Sequence, residues 1–410
     1  MTRTKLAGLL LCALPSASLA FEAIDTLPFT TTGRFPAYDA APELPFALWA
    51  QAGVMYDNNV FRQATAEQSE NIYRIGGGIR QDLLVVGRQR VRLQGEANVM
   101  KYSTFGELDH VAYGLLGEWR WELGNDLAGT AGYTRRHYQA DLAEVARGIR
   151  DLITENRFYV SGGYRLGPNT RIRGAADHTR VERPQRPVAE IRASGVTGGV
   201  DYVTALGNTL GAEVRVGHGD APVPELVAAA PGGIAQNDFN TREVALVAAY
   251  NVGPTLRTSG RLARSRITYS DLPGRDFNGS SVRGRIEWLP GNKTILTFEG
   301  YHEPRTIIDV AATHVVVKGL AFGAEWAPTA KLVLAARFLN EDRDFEGDPA
   351  VAVGGPVRLD TVRTVRLGTG WEITRHVNLG FAIDRGIRDS SVLGRDYQFT
   401  AVMANARYNF

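Results

Sequence analysis

Cysteine is almost missing from this sequence, whose 410 residues include only Cys12. That residue lies in an N-terminal segment with a positively charged start, an apolar run over residues 6–14 and the small-x-small triplet Ser18-Leu19-Ala20. These features predict a secretory signal peptide over residues 1–20, cleaved after Ala20. The exported chain then holds no thiol, which excludes disulfides and cysteine-based metal sites.

Long apolar runs are missing as well. No stretch after residue 20 approaches the roughly 18 uninterrupted apolar residues that a membrane-spanning helix requires. Such an exported chain is either a soluble protein or a closed β-barrel, because only helices and closed barrels satisfy every backbone polar group in lipid. The periodicity of the sequence has to decide between the two.

Lysines are few, and histidines at the spacing of metal ligands are missing. Five of the 46 basic residues are lysines and the rest are arginines, a bias that codon usage or function could each produce. The seven histidines stand apart from one another, and the scattered serines and acids form no nucleophile motif, although a site assembled from distant strands would leave none. We therefore expect no enzymatic activity, no cofactor and no metal.

A two-residue alternation of apolar and polar side chains is abundant. Over residues 89–102, apolar or small side chains alternate with Arg90, Arg92, Gln94, Glu96 and Asn98, and the same period returns at 113–123, 282–288, 365–373 and 377–384. This period places the two sets on opposite faces of a strand. The predicted strands of about 10 to 15 residues are longer than those of soluble sheets and are typical of membrane barrels.

Turn signals give a strand count. Short turns around residues 87, 124, 167, 207, 253, 291, 328 and 375 alternate with longer polar connections, among them 140–151, 183–189, 218–237, 270–277, 303–310 and 342–358. Eight short turns and nine longer connections predict an all-β, transmembrane antiparallel barrel of about 18 strands over residues 46–410. The predicted location is the cell outer membrane of a Gram-negative bacterium. Residues 21–45, which include four prolines, are interpreted as a periplasmic lead-in or a small plug.

The C-terminal strand carries the most specific signal. Val402, Ala404, Ala406, Tyr408 and Phe410 alternate with polar residues. A terminal aromatic residue on such a strand resembles the signal that the barrel-assembly machinery recognises. We expect Tyr408 and Phe410 to form that signal, and this machinery to be a partner of the chain.

If the apolar face meets lipid, the alternate face lines the lumen. Fourteen arginines and seven acids fall on that face, which predicts a basic interior in a barrel wide enough for an aqueous channel. Guanidinium groups favour anionic or hydroxyl-rich solutes, whereas pairing with lumenal acids would instead make the wall rigid. The candidate pore-lining and ligand residues are Arg90, Arg92, Glu96, Glu118, Arg120, Arg165, Arg171, Arg173, Arg215, Arg283, Arg285, Arg366 and Arg407.

Two of the longer connections suggest specific functions. Residues 342–348 resemble the start of an EF-hand calcium loop, but Val353 stands where the bidentate glutamate belongs, which favours a solvated outer loop. The segment 217–237 is rich in small residues, and we expect it to be mobile or, alternatively, to fold inward as a constriction.

The predicted opening strand carries the stretch Gly53-Val54-Met55-Tyr56-Asp57-Asn58-Asn59-Val60-Phe61-Arg62. This stretch resembles the Tyr-Asp-Asp/Asn-Asn-hydrophobe-Phe-Arg signature of the EpsL-like family, outer-membrane barrels found with exopolysaccharide biosynthesis genes. The likeness continues through 88–90, 108–110 and 119–123 to the ending 406–410, with His110 where tyrosine is expected. It implies a role in exopolysaccharide biosynthesis or export, with a polysaccharide and periplasmic and inner-membrane export proteins as partners.

Three functions follow from these observations. The main expectation is a wide, basic conduit for a polysaccharide, similar to the alginate export porin, with an open lumen. The alternative is a general or anion-selective porin for small solutes, which predicts a constriction formed by an inward loop. A third is a plugged or scaffolding barrel, in which residues 21–45 or 218–237 fill the lumen. In each case the chain is surrounded by outer-membrane lipid, and no nucleic acid is expected as a partner.

Overall fold

The computed structural model describes residues 45–145, 149–226, 233–271, 273–305, 314–346 and 357–410. These residues form a closed barrel of 18 antiparallel strands, which confirms the predicted fold class. The first and last strands pair with each other and close the sheet. The predicted signal peptide and the predicted lead-in, apart from Pro45, lie outside the described residues.

The strands contain 12 to 17 residues each. A two-stranded hairpin, β10 (Glu225–Leu226) and β11 (Ile234–Ala235), lies in the connection over residues 221–238. The barrel strands are β1 (Phe46–Asp57), β2 (Glu70–Val86), β3 (Gln89–Tyr102), β4 (His110–Leu123), β5 (Leu127–Gln139), β6 (Leu152–Arg165), β7 (Thr170–Glu182), β8 (Ile191–Val203), β9 (Thr209–Asp220), β12 (Phe239–Val252), β13 (Leu256–Tyr269), β14 (Phe277–Gly291), β15 (Thr294–Arg305), β16 (His314–Thr329), β17 (Leu332–Glu346), β18 (Arg358–Glu372), β19 (Val377–Ser390) and β20 (Tyr397–Asn409).

The outer face of the barrel is apolar along most of each strand. On β3 and β4, for example, Leu93, Leu115 and Trp119 are 45–49% exposed, and the strand register places them on one face. A continuous exposed band of this size is stable in lipid and not in water. Short turns join the strands at one end, where Gly87 and Gly124 adopt the positive φ that tight hairpins need. The long connections therefore mark the extracellular end.

Some segments predicted as loops are strands. β9 extends to Asp220, β15 to Arg305 and β17 to Glu346, so most of the acidic segment 342–348 belongs to a strand and is not a solvated loop. The ladder continues there because Asp342 lies opposite Lys318 and accepts a hydrogen bond from Thr361 Oγ1 at 2.9 Å. Charged side chains are tolerated at these positions because the strands rise above the apolar band.

Among the residues that the structure describes, the interior holds several separate apolar clusters. The largest lies inside the extracellular end of the seam between β1 and β20, and it includes Met55, Phe61, Ile72, Leu108 and Met403. Among the residues that the structure describes, no helix is long and apolar enough to cross a membrane.

Candidate functional site

Charge pairs cover the inner wall of the barrel. Arg173 on β7 donates to Asp201 on β8 at 2.9 Å and to Glu213 on β9 at 2.6 Å. Arg261 on β13 donates to the same Glu213 at 2.8 Å and also pairs with Glu243 on β12. One continuous network therefore ties five neighbouring strands together, which is the wall-stiffening arrangement considered as the alternative to solute binding.

All thirteen candidate pore-lining residues lie on strand faces opposite to the exposed hydrophobic band. Glu96 accepts from Gln51 Nε2 at 2.8 Å, and Arg407 stacks on Trp49 at 4.3 Å. Binding of a solute by any of them stays a prediction. Those with a carboxylate partner are Arg92 with Asp82, Arg120 with Glu118, Arg171 and Arg173 with Asp201, Arg215 with Asp177, Arg283 with Glu299, Arg285 with Glu287 and Arg366 with Asp384.

The lumen is less basic than the sequence patterns indicated. Eight further arginines on the described strands face it: Arg74, Arg80, Arg136, Arg305, Arg337, Arg343, Arg358 and Arg388. Twelve further acids do so as well: Asp57, Glu70, Asp82, Glu155, Asp201, Glu243, Glu299, Glu303, Glu325, Glu341, Asp360 and Asp384. The excess of arginines on the wall falls from seven to three.

The periplasmic mouth keeps positive charge that the wall does not neutralise. Arg90 and Arg165 are exposed to the lumen near the short turns, and neither has a carboxylate partner within the described ranges. Each lies directly opposite another arginine, Arg120 and Arg171 respectively. Side chains at such positions are close enough to repel each other, so an anion near them lowers the energy of the mouth.

At the extracellular end, the connection between β5 and β6 folds into the barrel. The described residues of this connection are 140–145 and 149–151. The first of these segments contains a short 3-10 turn, Leu142–Glu144, whose start is capped by Asp141 accepting from the Ala143 N–H at 2.9 Å. Leu142 packs against the apolar cluster at the β1–β20 seam. The Glu144 side chain is buried and pairs with Arg358 at 3.4 Å, with Arg395 at 3.5 Å and with Arg388.

These ion pairs join parts of the wall that are far apart around the ring. Arg358 lies on β18 and Arg388 on β19, whereas the loop follows β5. Counted along the shorter path around the barrel, β19 is the sixth strand from β5. A contact between them has to pass through the lumen. We call residues 140–145 the constriction loop, because they narrow the extracellular entrance.

A second connection supports the constriction loop from behind. Asp151, at the base of the same connection, is fully buried and pairs with Arg186 at 2.6 Å and with Arg183 at 3.5 Å. Both arginines belong to the connection between β7 and β8. Burial, reinforced by the neighbouring Arg186, lowers the pKa of Arg183 to about 10, so the guanidinium stays charged at neutral pH.

The predicted candidate for an inward loop was a different segment, 217–237. Its first residues belong to β9, and the hairpin that follows lies against the next connection, where Gln236 N–H donates to Asp271 at 2.9 Å and Arg275 donates to Asn237. Residues 227–232 lie outside the described part. The sequence did not indicate the constriction loop, because the partners of Glu144 lie more than 200 residues away in the sequence. Glu144 itself stands in a polar stretch whose pattern gives no sign that its side chain is buried.

The stretch 53–62 that suggested a family resemblance closes the barrel seam. Asp57, buried at the end of β1, accepts from the Asn59 N–H at 2.9 Å and from both terminal nitrogens of Arg62, at 2.7 and 2.8 Å. Asn58 and Asn59 reach across to β20, where they bond to the backbone of Thr400 and Gln398. Burial alone would lower the pKa of Arg62. The negative charge of Asp57 and its hydrogen bond with Arg62 outweigh that effect, so the pKa of Arg62 is raised.

Comparisons with known proteins identify the fold alone. No protein-family model and no curated protein matches this chain, so the resemblance to the EpsL-like family is not supported. Among solved structures, OccK2 (OpdF) of Pseudomonas aeruginosa aligns with a TM-score of 0.50 at 10% identity, covering 89% of this chain and 97% of that one. The P. aeruginosa outer membrane protein OpdK gives 0.49 at 10% identity, with 89% and 99% covered. The Acinetobacter baumannii protein OccAB3 gives 0.48 at 9% identity, also with 89% and 99% covered. The chain is an outer-membrane β-barrel of a Gram-negative bacterium.

Proposed function

We propose that this barrel is a channel for small solutes with a preference for anions. The observation that carries the proposal is the constriction loop, held across the lumen by Glu144 and its three arginine partners. An 18-stranded barrel is wide enough for water, and an inward loop reduces that width at one level. Such a combination sieves solutes by size and leaves the rest of the lumen wide.

The preference for anions rests on where positive charge is left over. Most wall arginines are neutralised by carboxylates, so the wall contributes little net charge. The exposed Arg90 and Arg165 at the periplasmic mouth have no such partner among the residues described. Charge at a mouth raises the local concentration of counter-ions and so biases conduction toward anions.

The exopolysaccharide conduit is the second candidate and rests on the sequence resemblance. A polymer needs continuous width along the whole lumen, which a loop fixed by the ion pairs of the buried Glu144 restricts. The small-solute channel therefore accounts better for the geometry. Export of a polysaccharide would require the constriction loop to leave its site.

Planar-bilayer recording of the purified protein tests the proposal. We expect stable single-channel conductance and, in a salt gradient, a reversal potential of the sign given by anion selectivity. The double variant Arg90→Gln/Arg165→Gln should move that potential toward zero. The matched control is Arg385→Gln, which removes a positive charge from the outer face, where Arg385 donates to Thr400 and Gln398.

The outcomes separate the candidates. Absence of conductance refutes a channel of either kind. Cation selectivity, or an equal shift in the control variant, refutes the role of the mouth arginines. Block of the current by an acidic oligosaccharide at concentrations where its monomer has no effect would favour the polysaccharide conduit instead.

A further inference from the structure

The outer face of the barrel carries arginines that the channel does not use. Arg242 on β12, with Arg264 and Arg266 on β13, forms what we call the outer arginine patch. All three side chains are exposed. They alternate along their strands with buried lumenal residues and share a face with Val244 and Leu262, which are 58% and 54% exposed.

The height of the patch on the barrel is defined by its strand positions. Arg242 is the fourth residue of β12, and Arg266 is the fourth residue from the end of β13, so both lie near the extracellular end. Toward the periplasm, the same outer faces carry only apolar or small side chains, such as Val244, Leu246 and Leu262, with Tyr250 and Thr258 lower still. The patch therefore lies where the apolar band ends, at the level of the outer-leaflet headgroups.

The patch is not neutralised by the protein. Arg242 and Arg266 lie directly opposite each other in the strand register, an arrangement that is unfavourable for like charges. Arg264 donates to Asn278 Oδ1 at 2.8 Å and to Ser280 Oγ at 3.3 Å, both neutral groups. No carboxylate among the described residues pairs with any of the three.

Several other cations of the chain have a carboxylate partner. On the inner face of the same strand β13, Arg257 pairs with Glu287 at 3.0 Å and Arg261 with Glu213 at 2.8 Å. Outward-facing cations elsewhere at the extracellular end also have acids, as in Lys101 with Asp109, Arg180 with Glu182 and Arg363 with Asp389. The lack of a carboxylate at three adjacent arginines indicates that the counter-ion comes from outside the chain.

We propose that the outer arginine patch binds a phosphate group of lipopolysaccharide, the phosphorylated glycolipid of the outer leaflet. Guanidinium groups bind phosphate oxygens in planar, bidentate fashion, and basic pockets at a membrane surface bind lipid headgroups. Cross-strand neighbours stand about 5 Å apart, so one phosphate can bridge Arg242 and Arg266. The acyl chains would then lie along the apolar surface formed by Val244, Leu246 and Leu262.

Native mass spectrometry of the detergent-solubilised barrel tests this proposal with lipid A as the probe. We expect bisphosphorylated lipid A to remain bound to the parent protein, and the variant Arg242→Gln/Arg266→Gln to bind it at least about tenfold more weakly, since two charge-assisted contacts are lost. The control Arg180→Gln removes an outer arginine that already pairs with Glu182 and should bind like the parent. Heat-modifiable gel mobility verifies that each variant is folded.

Several results would overturn the assignment. Equal binding by the double variant, or equal binding of dephosphorylated lipid A to the parent, would show that apolar contact alone holds the lipid. Displacement by inorganic phosphate at similar concentration would identify a site for free anions. A change of oligomeric state in the double variant, with lipid binding intact, would identify a contact between copies of the chain.

Discussion

Replacement of Glu144 by alanine should release the constriction loop from β18 and β19. The Glu144 side chain is 8% exposed and pairs with Arg358, Arg388 and Arg395. Removal of one partner from a buried ion pair costs about 3–5 kcal/mol. After the replacement, Asp360 still pairs with Arg358 at 2.5 Å and lies 3.9 Å from Arg388. Because both arginines keep a nearby carboxylate, we expect a cost at the lower end of that energy range. A loss of about 3 kcal/mol lowers the ratio of docked to undocked loop by roughly 100-fold.

Two measurements follow this release. A cysteine placed at Ala143 would be the only thiol of the predicted mature chain, and its reaction with a water-soluble maleimide should be faster when Glu144→Ala is added. Single-channel conductance should rise or fluctuate more in the same variant, because the entrance is wider whenever the loop is undocked. Glu107→Ala, which removes an exposed acid from the β3–β4 connection, is the matched control. Unchanged thiol reactivity together with unchanged conductance in Glu144→Ala would refute the proposed docking.

Three further outcomes are expected. Asp57→Ala should lower the free energy of unfolding by about 3 kcal/mol, because it leaves the buried end of β1 and the Arg62 guanidinium without their partner. Urea titration of the barrel in vesicles measures this loss. A loss under about 0.5 kcal/mol, typical of surface positions, would contradict the role of Asp57 in the seam. Deletion of Phe410 should reduce the assembled barrel in outer-membrane fractions and increase unfolded periplasmic chain; normal assembly would remove it from the predicted recognition signal. The hydrogen bonds from Lys101 Nζ and the Tyr102 N–H lower the pKa of Asp109, so its stabilisation is present above the usual carboxyl range and is lost as pH falls through the folded-state value. Asp109→Asn should remove that part of the acid-dependent fall in thermal stability, and an identical pH profile in the variant would disprove the assignment.

The architecture could be predicted because it depends on local signals. Alternation over residues such as 89–102 defines a strand with two faces, and turn residues such as Gly87 and Gly124 define where one strand ends and the next begins. Both signals act within a few residues. The strand count therefore agreed with the structure, whereas strand ends such as Arg305 and Glu346 did not, because charged residues continue a ladder once the strand has left the lipid.

The constriction could not be predicted, because it depends on contacts between distant parts of the sequence. Nothing near Glu144 indicates that it pairs with Arg358 and Arg388, which lie more than 200 residues later in the sequence. The lumenal charge was also misjudged, since acids such as Asp201, and Asp384 at the end of the alternating stretch 377–384, face the lumen but were not counted there. These further acids reduce the positive excess, so the location of arginines without a carboxylate partner is more informative than the number of arginines.

The seam has a consequence for the order of assembly. The constriction loop rests through Leu142 on a cluster that includes Met55 of β1 and Met403 of β20, the strands made first and last during synthesis. Before those two strands meet, half of that surface is missing and the loop has no site on which to dock. A chain that has inserted but not closed therefore lacks the barrier at its entrance. Closure of the last pair of strands therefore both seals the wall and completes the surface on which the constriction loop docks.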